Sequence, residues 1–131
     1  MKNFLRIMKS LSDGTRVRIM RLLVSAGIPL CICEIVDALG LRQYHVSRHM
    51  KELKIAGLVQ EQREGRYIFY SLNKPDSRNA RTHEMVLRTV LSLPVEEFLE
   101  DDKRLNARLK LRNEILAVQV QKAARKRNCT C

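Results

Sequence analysis

Two cysteine pairs carry the most distinctive chemistry in this chain of 131 residues. Cys31 and Cys33 flank Ile32 in the run Cys31-Ile32-Cys33-Glu34, and Cys129 and Cys131 flank Thr130 at the C-terminal end. A deprotonated thiol is a nucleophile and a soft ligand that selects soft ions. Spacing limits what it can hold. Residues i and i+2 of a regular helix stand about 200° apart, so two thiols inside a helix could not grip one ion. On residues alone the pairs read as half-buried hydrophobes, as disulfide partners or as soft-ion ligands. A second group is basic. Gln43, Tyr44, His45, Ser47, Arg48 and Lys51 surround the apolar positions Val46 and Met50, and Arg63 and Arg66 flank Glu64-Gly65. Such donors, with one flat aromatic, suit phosphates and base edges.

Composition narrows the partners. Lys plus Arg number 25 against 14 Asp plus Glu, a formal net charge of +11. That excess predicts association with polyanions, nucleic acid before a membrane surface. No apolar run approaches the roughly 20 residues of a membrane span. The first residues lack the apolar core and small-residue cleavage site of a secretory signal. The expectation is a cytoplasmic protein with no membrane partner, where thiols stay reduced. Four cysteines then read as free thiols or ligands before disulfides. No nucleophile–base pair, P-loop or Gly-rich dinucleotide turn occurs, so the chain reads as no enzyme.

The elements that must position these groups follow from periodicity. Phe4, Leu5, Met8 and Leu11 predict a first helix. Ser12 or Asp13 then caps a second, with Val17, Met20, Leu23 and Val24 on its apolar side and Gly27 and Pro29 at its end. A third begins around Cys31 and runs through Ile35, Val36 and Leu39 to Gly40. The fourth carries Val46, Met50 and Leu53 at i, i+4 and i+7, and ends at Gly57. The period then changes to two. Ile68, Tyr70 and Leu72 share one face and Tyr67 and Phe69 the other, which predicts a β-hairpin turning at Glu64-Gly65. Pro75 ends that unit. Residues 82–93 read as helix, and from Val95 to about Lys126 no Gly or Pro interrupts one long helix or two consecutive ones. The run Glu100-Asp101-Asp102-Lys103-Arg104 is the expected weak point, and the basic end is expected to fray.

Helix, short turn, helix and hairpin is the order of a winged helix-turn-helix, whose second helix lies in the major groove. With Val46 facing the core, Tyr44, His45, Arg48 and Lys51 point the other way, and Gln43 and Ser47 sit on the flanks. A polar helix face is usually only a solvated face. Here it is basic, follows a tight turn and precedes a basic hairpin, and together these favour DNA contact. His49 falls at the edge of the buried side, which predicts a packing role.

Residues 4–73 resemble the ArsR/SmtB family of metal-responsive repressors. Ser47-Arg48-His49 is similar to the S-R-H segment of that family's recognition helix, and Cys31-Ile32-Cys33-Glu34 to the C-V-C-D segment of its arsenic-responsive branch. The chain departs from the family's pattern at Arg42 and Tyr44, which bears on the operator sequence. It also has Val36 where the arsenic branch often has a third cysteine. The resemblance implies homodimerisation and release from DNA by a bound ion. It also places Cys31 at the helix N-cap and Cys33 in the first turn. An N-cap side chain folds back over the exposed amides, so both sulfurs would converge at the positive end of a helix dipole, which lowers a thiol's pKa.

The expected protein is mainly α with a small β-hairpin: a winged helix-turn-helix domain with long C-terminal dimerisation helices. Residues 1–93 form the DNA-binding and dimerisation domain, and 94–131 a helical extension with a basic, Cys-containing tail. The outer helices, residues 4–11 and 82 onward, pair two subunits. The recognition helices then meet successive major grooves of an inverted-repeat operator about 34 Å apart. Arsenite or antimonite, or another soft metal ion, is the inducer, held by Cys31 and Cys33 with Cys129 or Cys131 as the candidate third ligand. Two rivals stand beside this reading: a winged-helix repressor answering thiol oxidation or reactive sulfur, and a sequence-indifferent architectural nucleic-acid protein. On the dimerisation helix that starts near residue 82, adjacent His83 and Glu84 stand about 100° apart, which argues against a shared ion there.

Overall fold

Asp13 sets the start of the helix on which the rest of the chain packs. Its Oδ1 accepts from the amides of Thr15 at 2.9 Å and Arg16 at 3.2 Å. That satisfies two of the four orphan donors at a helix start, a cap usually worth about 1 kcal/mol. The structure is a computed structural model that describes residues 1–74, 76 and 78–128, with side chains to Arg125. Pro75 and the cysteine pair Cys129 and Cys131 lie outside the described residues.

The elements in order are α1 (Lys2–Ser10), α2 (Gly14–Ala26), β1 (Leu30–Cys31), α3 (Ile32–Leu39), α4 (Gln43–Ile55), β2 (Val59–Glu64), β3 (Tyr67–Leu72), α5 (Ala80–Leu91), a 3-10 turn at Val95–Phe98, and α6 (Leu99–Asn128). Gly27 and Gly40 end α2 and α3 in the left-handed region, both at φ 65°, a conformation that carries no steric cost only for glycine. Gly40 also meets the Arg104 guanidinium at 3.8 Å from where a Cβ would stand.

The predicted hairpin forms, but its turn is Gly65-Arg66, one residue later than expected: Glu64 is still strand and pairs with Tyr67, so Arg66 lies in the turn itself, and Tyr70 is buried. One strand escaped the sequence reading. The two residues of β1 pair antiparallel with β3, Leu30 opposite Tyr70 and Cys31 opposite Phe69, giving the sheet order β1-β3-β2. Two residues are too few to show a period. The consequence is functional, because the first thiol sits directly beside the wing.

One core joins the elements: Ile19, Met20 and Leu22 from α2, Ile35 and Ala38 from α3, Val46, Met50 and Leu53 from α4, with Val86 and Val90 from α5 and Leu105 from α6. α6 therefore joins the core of the preceding elements through Leu105. The acidic run at 100–102 is no weak point, and α6 passes through it unbroken. It opens the first turn, where carboxylates complement the helix dipole, and it is tied to α2. Arg18 grips buried Asp101 with Nε at 2.8 Å and Nη2 at 2.7 Å, and Arg21 reaches Asp102 at 3.3 Å while its guanidinium covers Phe98. Among the described residues, no helix is long and apolar enough to cross a membrane.

Candidate DNA-reading face and thiol cavity

The α4 helix buries Val46, Met50 and Leu53, which lie on one stripe, and leaves Gln43, Tyr44, His45, Ser47, Arg48 and Lys51 exposed. Tyr44 is 68 % exposed, a large aromatic left in solvent without packing that would account for it. Its ring meets His45 edge-on at 5.7 Å. Arg63 and Arg66 are exposed on the hairpin, and Lys54 ties the end of α4 to the wing through Glu61 at 2.5 Å. That hydrogen bond holds the Glu61 carboxyl below its ordinary range. His49 has the packing role expected of it: Arg16 Nε donates to its Nδ1 at 3.2 Å, joining α2 to α4.

The second site is built at the start of α3. Cys31 is the N-cap, in extended conformation at φ −67° and ψ 148°, and it forms a capping box with Glu34. The Cys31 amide donates to Glu34 Oε1 at 2.7 Å. With Cys31 outside the helical conformation, its sulfur turns toward the first turn, and the Cys33 thiol donates to it at 3.0 Å. The two thiols thus converge although they are only two residues apart. The dipole argument for Cys31 does not hold, however. Burial pushes its thiol up from the ordinary value, and the hydrogen bond from Cys33 and the nearby Glu34 carboxylate add to that. At 6 % exposure the loss of water outweighs the helix end.

A third component was missed in the sequence. Arginines at every fourth residue of α6 descend along α3 toward its start. Arg104 Nε donates to the Ala38 carbonyl at 2.8 Å. Arg108 Nε donates to Asp37 at 2.9 Å, and its Nη2 to Cys33 Sγ at 3.6 Å. Arg112 forks onto buried Glu34, with Nε at 2.5 Å, and also reaches the Pro29 carbonyl. Its guanidinium lies 5.8 Å from the Phe69 ring centroid. The result is an open cavity of about 230 Å³ lined by Cys31, Cys33, Tyr67, Phe69, Arg108 and Ile115, among others. The signal was available: Arg104, Arg108 and Arg112 recur at i, i+4 and i+8 on one helix face. His83 is buried, which lowers its pKa, whereas Glu84 pairs with Arg88 on the surface. No group of three or more metal-ligating side chains occurs among the described residues.

Residues 13–61 match the profile described as bacterial regulatory protein, arsR family. The chain is 41 % identical over 64 residues to the uncharacterized HTH-type transcriptional regulator MJ1325 of Methanocaldococcus jannaschii, a match covering 49 % of this chain and 71 % of that one. This chain belongs to the arsR family. It is 42 % identical over 67 residues to the arsenic resistance transcriptional regulator ArsR2 of Pseudomonas putida, covering 51 % of this chain and 57 % of the relative. The chain thus spans little more than half the length of that relative. Among solved structures, the homodimeric winged helix-turn-helix DNA-binding domain Mb0332 of Mycobacterium bovis, a possible ArsR-family regulator, superposes with a TM-score of 0.55 at 27 % identity, covering 67 % of this chain and 78 % of that one. The arsR-family match contains both cavity cysteines and all of α4. It ends before Arg63 and Arg66, and before the whole α6 arginine ladder.

Proposed function

We propose that this arsR-family chain is a homodimeric, DNA-binding transcriptional repressor that leaves an inverted-repeat operator when trivalent arsenic or antimony bridges Cys31 and Cys33. The observation that carries the reading is the pair of convergent thiols, 3.0 Å apart, at the start of a helix that leads through Gly40 into the exposed face of α4. The Pseudomonas relative's name as an arsenic resistance regulator supports the choice of ion. So does the raised thiol. A divalent cation must expel the thiol proton before it binds, so a thiol kept neutral by burial disfavours it. Arsenous acid condenses with neutral thiols: two As–S bonds form, two As–O bonds break, and each thiol proton leaves with a hydroxide as water. A third thiolate, from Cys129 or Cys131 of a second copy, would complete the ion's shell. The runner-up trigger is thiol oxidation, which these two sulfurs would also feel.

The dimer reading is supported by exposed apolar side chains on the two outer helices, Phe4 and Leu5 of α1 and Met85 and Leu91 of α5. A groove of about 360 Å³ between those helices is lined by Met8, Leu11, Met85, Thr89 and Leu93. Burying such surface in a second copy is the ordinary way to remove it from water.

The DNA face is tested on the upstream region of the chain's own gene. Arg48→Ala is expected to cost about 1–3 kcal/mol of specific affinity and to relax sequence preference at one position of each half-site. A wing substitution, Arg66→Gln, should instead weaken all sequences alike and lower the salt slope by about one contact per subunit. Unchanged affinity and preference in Arg48→Ala would remove α4 as the reading helix.

A further inference from the structure

We propose that the basic end of α6 is an additional nucleic-acid contact, which lies along the DNA backbone outside the wing. The proposal rests on the DNA-binding reading above and extends the footprint that α4 and the wing define.

The arginine ladder fixes the direction of α6. Arg104 binds at Ala38, Arg108 at Asp37 and Arg112 at Glu34 and Pro29, so α6 runs antiparallel to α3 and toward the wing. The next turns deliver Ile115, Leu116 and Gln119 to the wall of the cavity they share with Tyr67. Tyr67 is a wing-tip residue, paired with Glu64 across the turn that carries Arg66. At Gln119, then, α6 stands beside the wing tip, and it continues as helix to Asn128. Nine further residues add roughly 13 Å at 1.5 Å each.

The composition changes at that point. Residues 120–128 hold Lys122, Arg125, Lys126 and Arg127 and no acid. Earlier α6 arginines are occupied by the fold, Arg104, Arg108 and Arg112 each by a carboxylate. Lys122 and Arg125 are exposed and make no ion pair among the described residues. They stand three residues apart, on one face of the helix. A second copy of the same helix would set these cations against each other, which is unfavourable. A polyphosphate backbone beside the wing would set them against anions, and every such contact releases counterions.

The test uses the full chain, wild type and Lys122→Gln/Arg125→Gln, with two duplexes from its own upstream region. One duplex ends at the inverted repeat, and the other carries about one extra helical turn on each side. Dissociation constants are measured across a salt series. Glutamine keeps helix propensity, and circular dichroism checks that the helix remains. On the long duplex the variant is expected to lose slope by about 0.9 for each contact removed, with about fivefold weaker binding per contact at 0.15 M salt. On the short duplex it should match wild type. Equal slopes for both proteins on the long duplex overturn the proposal. So does an unchanged DNA affinity accompanied by loss of binding to phosphatidylserine vesicles, which would assign the helix end to an anionic membrane. If wild type itself binds neither duplex, the repressor reading falls and takes this contact with it.

Discussion

Serine in place of Cys31 or Cys33 abolishes arsenite-induced release and leaves operator binding intact. This is the largest functional effect expected of any single substitution here. An allosteric coupling of ordinary size changes affinity about 5–150-fold, and all of that change is lost with either ligand. The stability cost is small. Cys31 is an N-cap, a position serine fills well, because its hydroxyl accepts from the same amide. Burial of the added hydroxyl, at a site 6 % exposed, is offset by that bond. Cys33 is half-buried at the cavity wall, where a hydroxyl keeps Arg108 as a neighbour. Fluorescence anisotropy of a labelled operator, with and without arsenite, reads the response, and urea unfolding reads the stability. A double serine variant that still dissociates on arsenite would remove the ion site from this cavity.

Arg112→Ala should be the most destabilising single change on α6, costing about 3–5 kcal/mol. The reason is Glu34. Its side chain is only 3 % exposed, and it accepts from both Arg112 and the Cys31 amide. Removing the arginine leaves a buried carboxylate without its counter-charge, which is the costly half of breaking such a pair. Lysine should not rescue it, since one ammonium cannot reproduce the two-pronged guanidinium contact. The structural loss extends to the thiols. Glu34 fixes the N-cap backbone of Cys31, and that backbone is what turns the two sulfurs together. The variant is therefore expected to show a lowered urea midpoint and a weakened arsenite response, while Lys110→Ala, at an exposed position of the same helix, changes neither. A stability loss under about 1 kcal/mol would mean that water, not Arg112, solvates Glu34.

Much of the frame could be read from residues. Val46, Met50 and Leu53 at helical spacing placed α4 and hence its exposed face, and the period of two around Gly65 placed the wing. The N-cap at Cys31 came from the family resemblance, and with it the convergence of two thiols that a regular helix would keep apart. What escaped depends on contacts distant in sequence. The strand Leu30–Cys31 is defined only by its pairing with Tyr70 and Phe69. Asp101 and Asp102 looked like a break because their partners, Arg18 and Arg21, lie some 80 residues away. The Cys31 thiol was expected to be acidic because a helix end is visible in sequence and burial is not. The arginine ladder shares this origin, since its meaning lies in the α3 groups it meets.

The central claim is that an ion held by the cavity thiols competes with DNA through the dimer. The most direct test is a titration of the full chain onto its own upstream duplex, in buffer free of small thiols, with and without arsenite. Specific, strongly salt-dependent binding that weakens at least fivefold on arsenite, with the arsenite affinity reduced by the same factor when DNA is bound, is the predicted result. Specific binding that arsenite leaves unchanged would contradict the claim.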